Sequence, residues 1–164
     1  MFLNDDQTQL ANDIAERLIA RGETLAVAES TTGGLVSAAL LAVAGASRYF
    51  AGGGVLYTRD SRIALVGVPA GTYENYRGTT PQMLADLAEA MRERLGATWC
   101  IAESGVAGPG RSRFGFPAGR TTLSVAGPVT RTEVIETGID DRVANMAEFA
   151  TRTLRYLRDA LNDA

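Results

Sequence analysis

Residues 28–34, Ala-Glu-Ser-Thr-Thr-Gly-Gly, place a carboxylate, three hydroxyls and two glycines between an apolar run (Leu25 to Ala28) and an apolar helical pattern. A strand-to-helix turn of this kind offers N–H groups and hydroxyls to an anion. Glu29, Thr32, Gly33 and Gly34 are therefore candidate ligand contacts, and Ser30 is the sharpest candidate nucleophile. The chain around them has no histidine, and all 16 of its basic residues are arginine. A Ser-His-Asp triad and a Ser-Lys dyad are both out of reach. The bases that remain are Glu29, Glu103, Tyr57 or a water polarised by them. A carboxylate serves as base only if burial raises its pKa. Tyr57 would need a lowered phenol pKa, and Arg62, five residues on, is the cation placed to lower it.

Two further polar, glycine-bearing segments follow predicted strands: Tyr57 to Arg62 and Glu103 to Gly119. Ligands of open α/β sheets collect at the carboxyl ends of parallel strands. With parallel strands, all three segments converge on one cleft; each alone reads better as a turn or a cap, and the three together favour a site. The third contains Gly105-Val-Ala-Gly-Pro-Gly110-Arg111-Ser112, a phosphate-loop pattern with arginine for lysine. A phosphate loop opens a helix. Here Gly115 and Pro117 follow at once, so that reading is rejected. Gly105 remains a candidate ligand contact, and Arg111 and Arg113 remain candidates to clamp a phosphate through paired N–H donors, the alternative being solvated loop arginines. Ser47 is a second candidate nucleophile with capping as its default role, Ser104 ends the third strand beside Glu103, and Tyr57 is otherwise a strand aromatic packed on the sheet.

The elements that must position these residues follow from periodicity. Leu10, Ile14, Leu18 and Ile19 keep a helical spacing stopped by Gly22, predicting a helix from Asp5 to Arg21. Thr24 to Ala28 reads as a buried strand, and Gly33 to Ala44 as a helix apolar nearly all round, hence buried or at an interface. Gly52 to Tyr57 is a second strand, and Thr58 caps a short helix from Arg59 to Val66. Gly67 to Thr79 is loop-like. Thr80-Pro81 opens a helix that runs to Leu95 and ends at Gly96. Trp99 to Glu103 is a third strand. Thr121 to Ala126 and Thr132 to Thr137 form a hairpin about Gly127-Pro128. Asp140-Asp141 opens the last helix, with Val143, Met146, Phe149, Ala150, Thr153, Leu154 and Leu157 facing inward. The order predicts one α/β domain, a three-layer α/β/α sandwich on a mixed sheet of about five strands.

Composition narrows the function classes. The 164 residues suffice for a real core, and 46% hydrophobic with 21% charged content is that of a globular chain. A net charge of −3 offers no footprint for nucleic acid or an acidic membrane surface. Cys100 stands alone in an apolar run, a buried thiol that permits no internal disulfide and suits the cytoplasm. No spacing suggests a carboxylate metal site, and no cofactor is expected.

Taken together, Ala28-Glu-Ser-Thr-Thr-Gly-Gly34, Gly45-Ala-Ser-Arg-Tyr-Phe50, Gly54-Val-Leu-Tyr-Thr58, Ser104-Gly-Val-Ala-Gly-Pro-Gly110 and Phe116-Pro-Ala-Gly119 resemble the CinA carboxy-terminal domain family, in order and spacing over nearly the whole chain. The resemblance implies an α/β/α domain, here in stand-alone form, similar to nicotinamide mononucleotide amidohydrolases of pyridine nucleotide salvage. Those enzymes release ammonia and the nicotinic acid mononucleotide. It aligns Ser30, Ser47, Tyr57 and Ser104 with site positions of the family and Arg62 with its lysine base. Thr31 replaces a cysteine, residues 111–116 lack a further lysine, and Arg142 is nearest to a basic residue of the last helix. Arginine keeps the charge but, with a pKa above about 12, cannot act as a base. Two functions follow: an amidohydrolase using Ser30 or Ser47, or a relative that binds a phosphate-bearing nucleotide through Arg62, Arg111 and Arg113 without turnover. The apolar second helix adds an expectation of a homo-oligomer.

Overall fold

The computed structural model describes residues 1–164. Five strands, β1 (Leu25–Glu29), β2 (Phe50–Val55), β3 (Trp99–Val106), β4 (Arg120–Ala126) and β5 (Arg131–Glu136), form one mixed sheet in the order β2-β1-β3-β4-β5. β1 runs parallel to both β2 and β3, whereas β4 and β5 close the sheet antiparallel. The helices are α1 (Asp5–Arg21), α2 (Leu35–Leu41), the short α3 (Arg59–Ser61) continued by a π turn (Arg62–Val66), α4 (Pro81–Leu95) and α5 (Arg142–Asn162).

Strand alternation sorts the core into two halves. Leu25, Val27, Trp99 and Ile101 face α1, α2 and α5, where Leu10, Ile14, Leu18, Leu40, Leu154 and Leu157 are buried. Ala26, Ala28, Cys100 and Ala102 face the other way, against Leu84, Leu87 and Met91 of α4. The expected three-layer sandwich is therefore present. Cys100 is fully buried, and burial pushes its thiol pKa up.

Local chemistry fixes the ends. Asn4 and Gln7 make a reciprocal capping box on α1, Thr80 accepts from Met83 N–H at the start of α4, and Asp141 accepts from Ala144 N–H on α5. Several elements differ from the sequence reading. α2 begins at Leu35 because Gly33 (φ 62°) and Gly34 (φ 101°) are left-handed, outside helical geometry. Its apolar surface is not wholly covered, since Leu41 is exposed. β2 starts and stops two residues early; its last partner is Val55 opposite Glu29, so Tyr57 leaves the sheet and is exposed rather than packed on it. β3 runs on to Val106, taking Gly105 into the sheet. On α5, Val143 points to solvent from the first turn, while Phe149, Ala150, Thr153, Leu154 and Leu157 are buried as expected.

Candidate functional site

Because β1, β2 and β3 are parallel, Glu29, Val55 and Val106 end at one edge of the sheet, and the three segments after them do meet there. They enclose a cleft of about 530 Å³. Ser30, Tyr57, Arg62, Ser104, Gly105 and Arg113 of the sequence-predicted set line it. Gly105 is needed for the close approach of β3 to β4: a Cβ there would lie 2.4 Å from Thr121 and 2.6 Å from the Arg120 carbonyl oxygen.

The turn after β1 is built around two of the chain's own carboxylates. Glu29 accepts from Gly34 N–H (2.8 Å), Val36 N–H (3.3 Å) and Ser37 N–H (2.9 Å), and from the hydroxyls of Thr32 (2.7 Å) and Ser37 (2.7 Å). A carboxylate at a helix start satisfies N–H groups that have no partner within the helix. Glu103 accepts from Ser30 N–H (3.3 Å), Thr32 N–H (3.1 Å), Thr32 Oγ1 (3.2 Å), Thr121 Oγ1 (2.7 Å) and the Thr31 hydroxyl. Gly33 N–H donates to the Ser30 carbonyl (3.1 Å).

These bonds overturn part of the sequence reading. Gly33 and Gly34 N–H groups are engaged inside the protein, so they do not face an external anion. Glu29 and Thr32 are likewise structural, and neither lines the cleft. Glu29 and Glu103 are both 1% exposed. Burial holds the Glu103 carboxyl above the usual glutamate range against the lowering effect of its donors, led by the Thr31 and Thr121 hydroxyls. Its oxygens are occupied, which removes it as a base on a ligand. What this network does provide is a fixed Ser30. The serine backbone is tied to Glu103, while its hydroxyl makes no hydrogen bond within the protein and faces the cleft. Ser30 is not a helix cap, a role that falls to Gly34.

The opposite wall carries a buried cation. Arg62 is 2% exposed. Its Nε donates to the Leu56 carbonyl (3.2 Å), Nη1 to Thr79 Oγ1 (3.1 Å) and Nη2 to Ser104 Oγ (2.8 Å). Thr79 Oγ1 also lies 3.0 Å from Ser104 Oγ and 3.2 Å from the Tyr76 hydroxyl. No carboxylate pairs with Arg62. A guanidinium has five N–H donors, and only three are used. Beside it the Tyr73 hydroxyl is buried without a well-formed hydrogen bond, and burial raises its pKa against the lowering effect of the charge and nearby N–H groups of Arg62.

Above Arg62 the cleft is walled by aromatics with arginines at their faces. Tyr76 and Phe114 meet edge to face at 5.8 Å. Arg59 lies over Tyr76 (5.3 Å), Arg113 over Phe114 (4.8 Å) and Arg120 over Phe116 (5.0 Å). Arg120 is also within 3.5 Å of Glu136. Four arginines thus line the cleft against one acid, Asp60.

The remaining predicted residues are distributed differently. Ser47 is exposed in a 3₁₀ turn that precedes β2, at the opposite edge of the sheet, and takes no part in the cleft. Arg111 and Arg142 line an adjoining, smaller depression rather than the main cleft. Arg111 donates to the Gly115 carbonyl (2.7 Å). Arg142 donates to the Gly108 carbonyl (2.7 Å) and to the Tyr57 hydroxyl (3.2 Å), so the cation at Tyr57 is Arg142 and not Arg62.

The fold is shared with known proteins. The family model of the CinA C-terminal domain matches residues 7–161. The chain belongs to the CinA family. It is 43% identical over 123 residues to a CinA-like protein of Prochlorococcus marinus, covering 75% of this chain and 29% of that protein. It is 39% identical over 159 residues to a CinA-like protein of Myxococcus xanthus, covering 95% and 37%. The chain therefore spans about a third of the length of these curated relatives. A CinA superfamily protein of Klebsiella pneumoniae has the same fold over 96% of this chain and 99% of its own, with a TM-score of 0.89 and 27% identity. A competence/damage-inducible protein of Agrobacterium tumefaciens covers 98% of each chain at a TM-score of 0.86 and 29% identity.

Within this CinA fold the sequence reading missed Thr79, Tyr76 and Arg59, together with Arg120, Thr121 and Thr122 at the start of β4. The β4 residues had a signal: an antiparallel return beside β3 starts where β3 ends. Thr79 had none, because its place depends on how residues 67–79 fold back over α3.

Proposed function

We propose that the cleft binds a pyridine mononucleotide of the nicotinamide type, and that amide hydrolysis is impaired in this chain. The observation that carries this reading is Arg62. A buried guanidinium without a carboxylate partner is costly, and an anionic ligand entering the cleft supplies the missing charge. The aromatic wall of Tyr76, Phe114 and Phe116 suits a planar ring, and Arg59 and Arg113 suit a phosphate. Hydrolysis needs a base to take the proton of a serine hydroxyl. Arg62, at the position of the family's lysine, cannot take it, and both buried carboxylates are saturated with donors.

A second reading, an active amidohydrolase, is favoured by Ser30. Its unpartnered hydroxyl would attack the carboxamide carbon, ammonia would leave with the serine proton, and water would release the acid and restore the serine. Incubation with nicotinamide mononucleotide, with ammonia assayed beside a thermal-shift titration, separates the two. The expected result is a rise in Tm with no ammonia from the parent chain, and ammonia release gained by Arg62→Lys. Ammonia release by the parent that disappears in Ser30→Ala selects the amidohydrolase instead.

A further inference from the structure

The geometry points to a site that selects the ring acid over the ring amide, with Arg62 as the residue that makes the choice; this rests on the pyridine nucleotide reading of the cleft. Arg62 offers only donors, two of its five N–H bonds are without an acceptor, and the guanidinium has no counter-charge. A carboxylate meets it with acceptors alone and can take a bidentate pair. A carboxamide presents one acceptor and one NH2 group, and the NH2 set against a guanidinium leaves donors facing donors. Rejection of a ligand that leaves buried polar groups unpaired is stronger than rejection by shape.

Charge adds to this. The pyridine ring of such nucleotides is a cation, since its nitrogen carries the ribose. Brought into a cleft with four arginines and one aspartate, an amide-bearing ring adds positive charge beside Arg62. A ring carboxylate cancels it locally. The two walls of the cleft also divide the ligand's anions. Arg62 is buried and makes three bonds that fix its plane, which suits a small, planar, singly charged group. Arg59 and Arg113 are exposed over aromatic faces, where a doubly charged phosphate keeps part of its hydration. Ser104 and Thr79, whose hydroxyls touch both each other and Arg62, can each turn a proton towards a carboxylate oxygen.

Calorimetric titration of the whole chain with four compounds tests this: nicotinic acid mononucleotide, nicotinamide mononucleotide, and the corresponding acid and amide ribosides. The acid nucleotide is expected to bind at least about tenfold more tightly than the amide, each factor of ten being about 1.4 kcal/mol. The same preference is expected between the two ribosides. In Arg62→Gln the acid-to-amide ratio falls towards one. Equal or tighter binding of the amide by the parent overturns the selection while leaving the nucleotide reading intact. A ratio near one for the ribosides, with Arg62→Gln weakening both nucleotides alike, puts the phosphate on Arg62 and also overturns it. No binding of any of the four compounds removes the nucleotide reading itself. The parent ratios decide the matter even if Arg62→Gln does not fold.

Discussion

Two buried charges flank Ser30, and they are treated in opposite ways. On one side Glu103, with Glu29 behind it, is surrounded by donors from the turn after β1 and from β4. On the other side Arg62 has neutral partners, two idle donors and an opening to the cleft. A buried ion that is fully hydrogen-bonded holds a structure together, while one left short of partners waits for a ligand. The anion cradle that residues 28–34 suggest is real, but the protein's own carboxylates fill it. The place for an external anion lies across the cleft.

That contrast predicts unequal costs. Glu103→Ala strips the acceptor from four residues in a dry interior. It is expected to lower the unfolding free energy by about 3–5 kcal/mol in urea titrations, since each buried donor left without an acceptor costs about 1–3 kcal/mol. A loss below about 1 kcal/mol would show that Glu103 is not the anchor. Glu29→Ala removes the carboxylate that satisfies the start of α2 and two hydroxyls. Its expected cost is about 2 kcal/mol, read by the same titration.

Arg62→Met is expected to change stability by less than about 1 kcal/mol, because a desolvated, unpaired charge is exchanged for apolar volume. Thr79 and Ser104 still have each other. The same variant is expected to lose the ligand-induced rise in Tm. A stability loss as large as that of Glu103→Ala would erase the distinction between the two poles.

The smallest effect concerns pH. Burial raises the Glu103 carboxyl above its ordinary value of 4.5. Above pH 4.5 the folded chain then binds more protons at this site than the unfolded chain, so its contribution is full below 4.5 and declines as pH rises through the native value. The parent should therefore lose stability relative to Glu103→Gln as pH is stepped up from 4.5, measured by denaturant titration at each pH. A parent that gains on the variant over that range would mean the donors outweigh burial.

Most of the scaffold was legible in the sequence. α1 and α4 end where Gly22 and Gly96 stop them, and the hairpin turns at Gly127-Pro128, because caps and breakers act locally. The convergence of three segments followed from strands alternating with helices. Ser47 carried a signal that sets it apart: it precedes its strand, while Ser30 follows β1 and Tyr57 and Arg62 follow β2. The roles of Glu29 and Glu103 were not legible to the same degree. Glu103 receives donors from residues 71 to 73 positions earlier and from Thr121, 18 positions later, pairings set by the parallel register of β1 and β3 and the antiparallel return of β4. Nor does residue type reveal that Arg62 is buried, since arginine is rarely so.

The bond pattern of the first turn also governs where this chain can tolerate changes in length. From Ser30 to Ser37 six residues are bonded to two fixed carboxylates, so one inserted residue displaces donors from both at once. At residues 110–115 the tip of the long loop is mostly exposed and is organised by its own Ser112, which accepts from Phe114 and Phe116 N–H. Extra residues there reshape the wall that carries Arg113 and Phe114 without disturbing the turn after β1. Variation in ligand size among chains of this fold is therefore best accommodated at that tip, and the turn after β1 is the part that must keep its length.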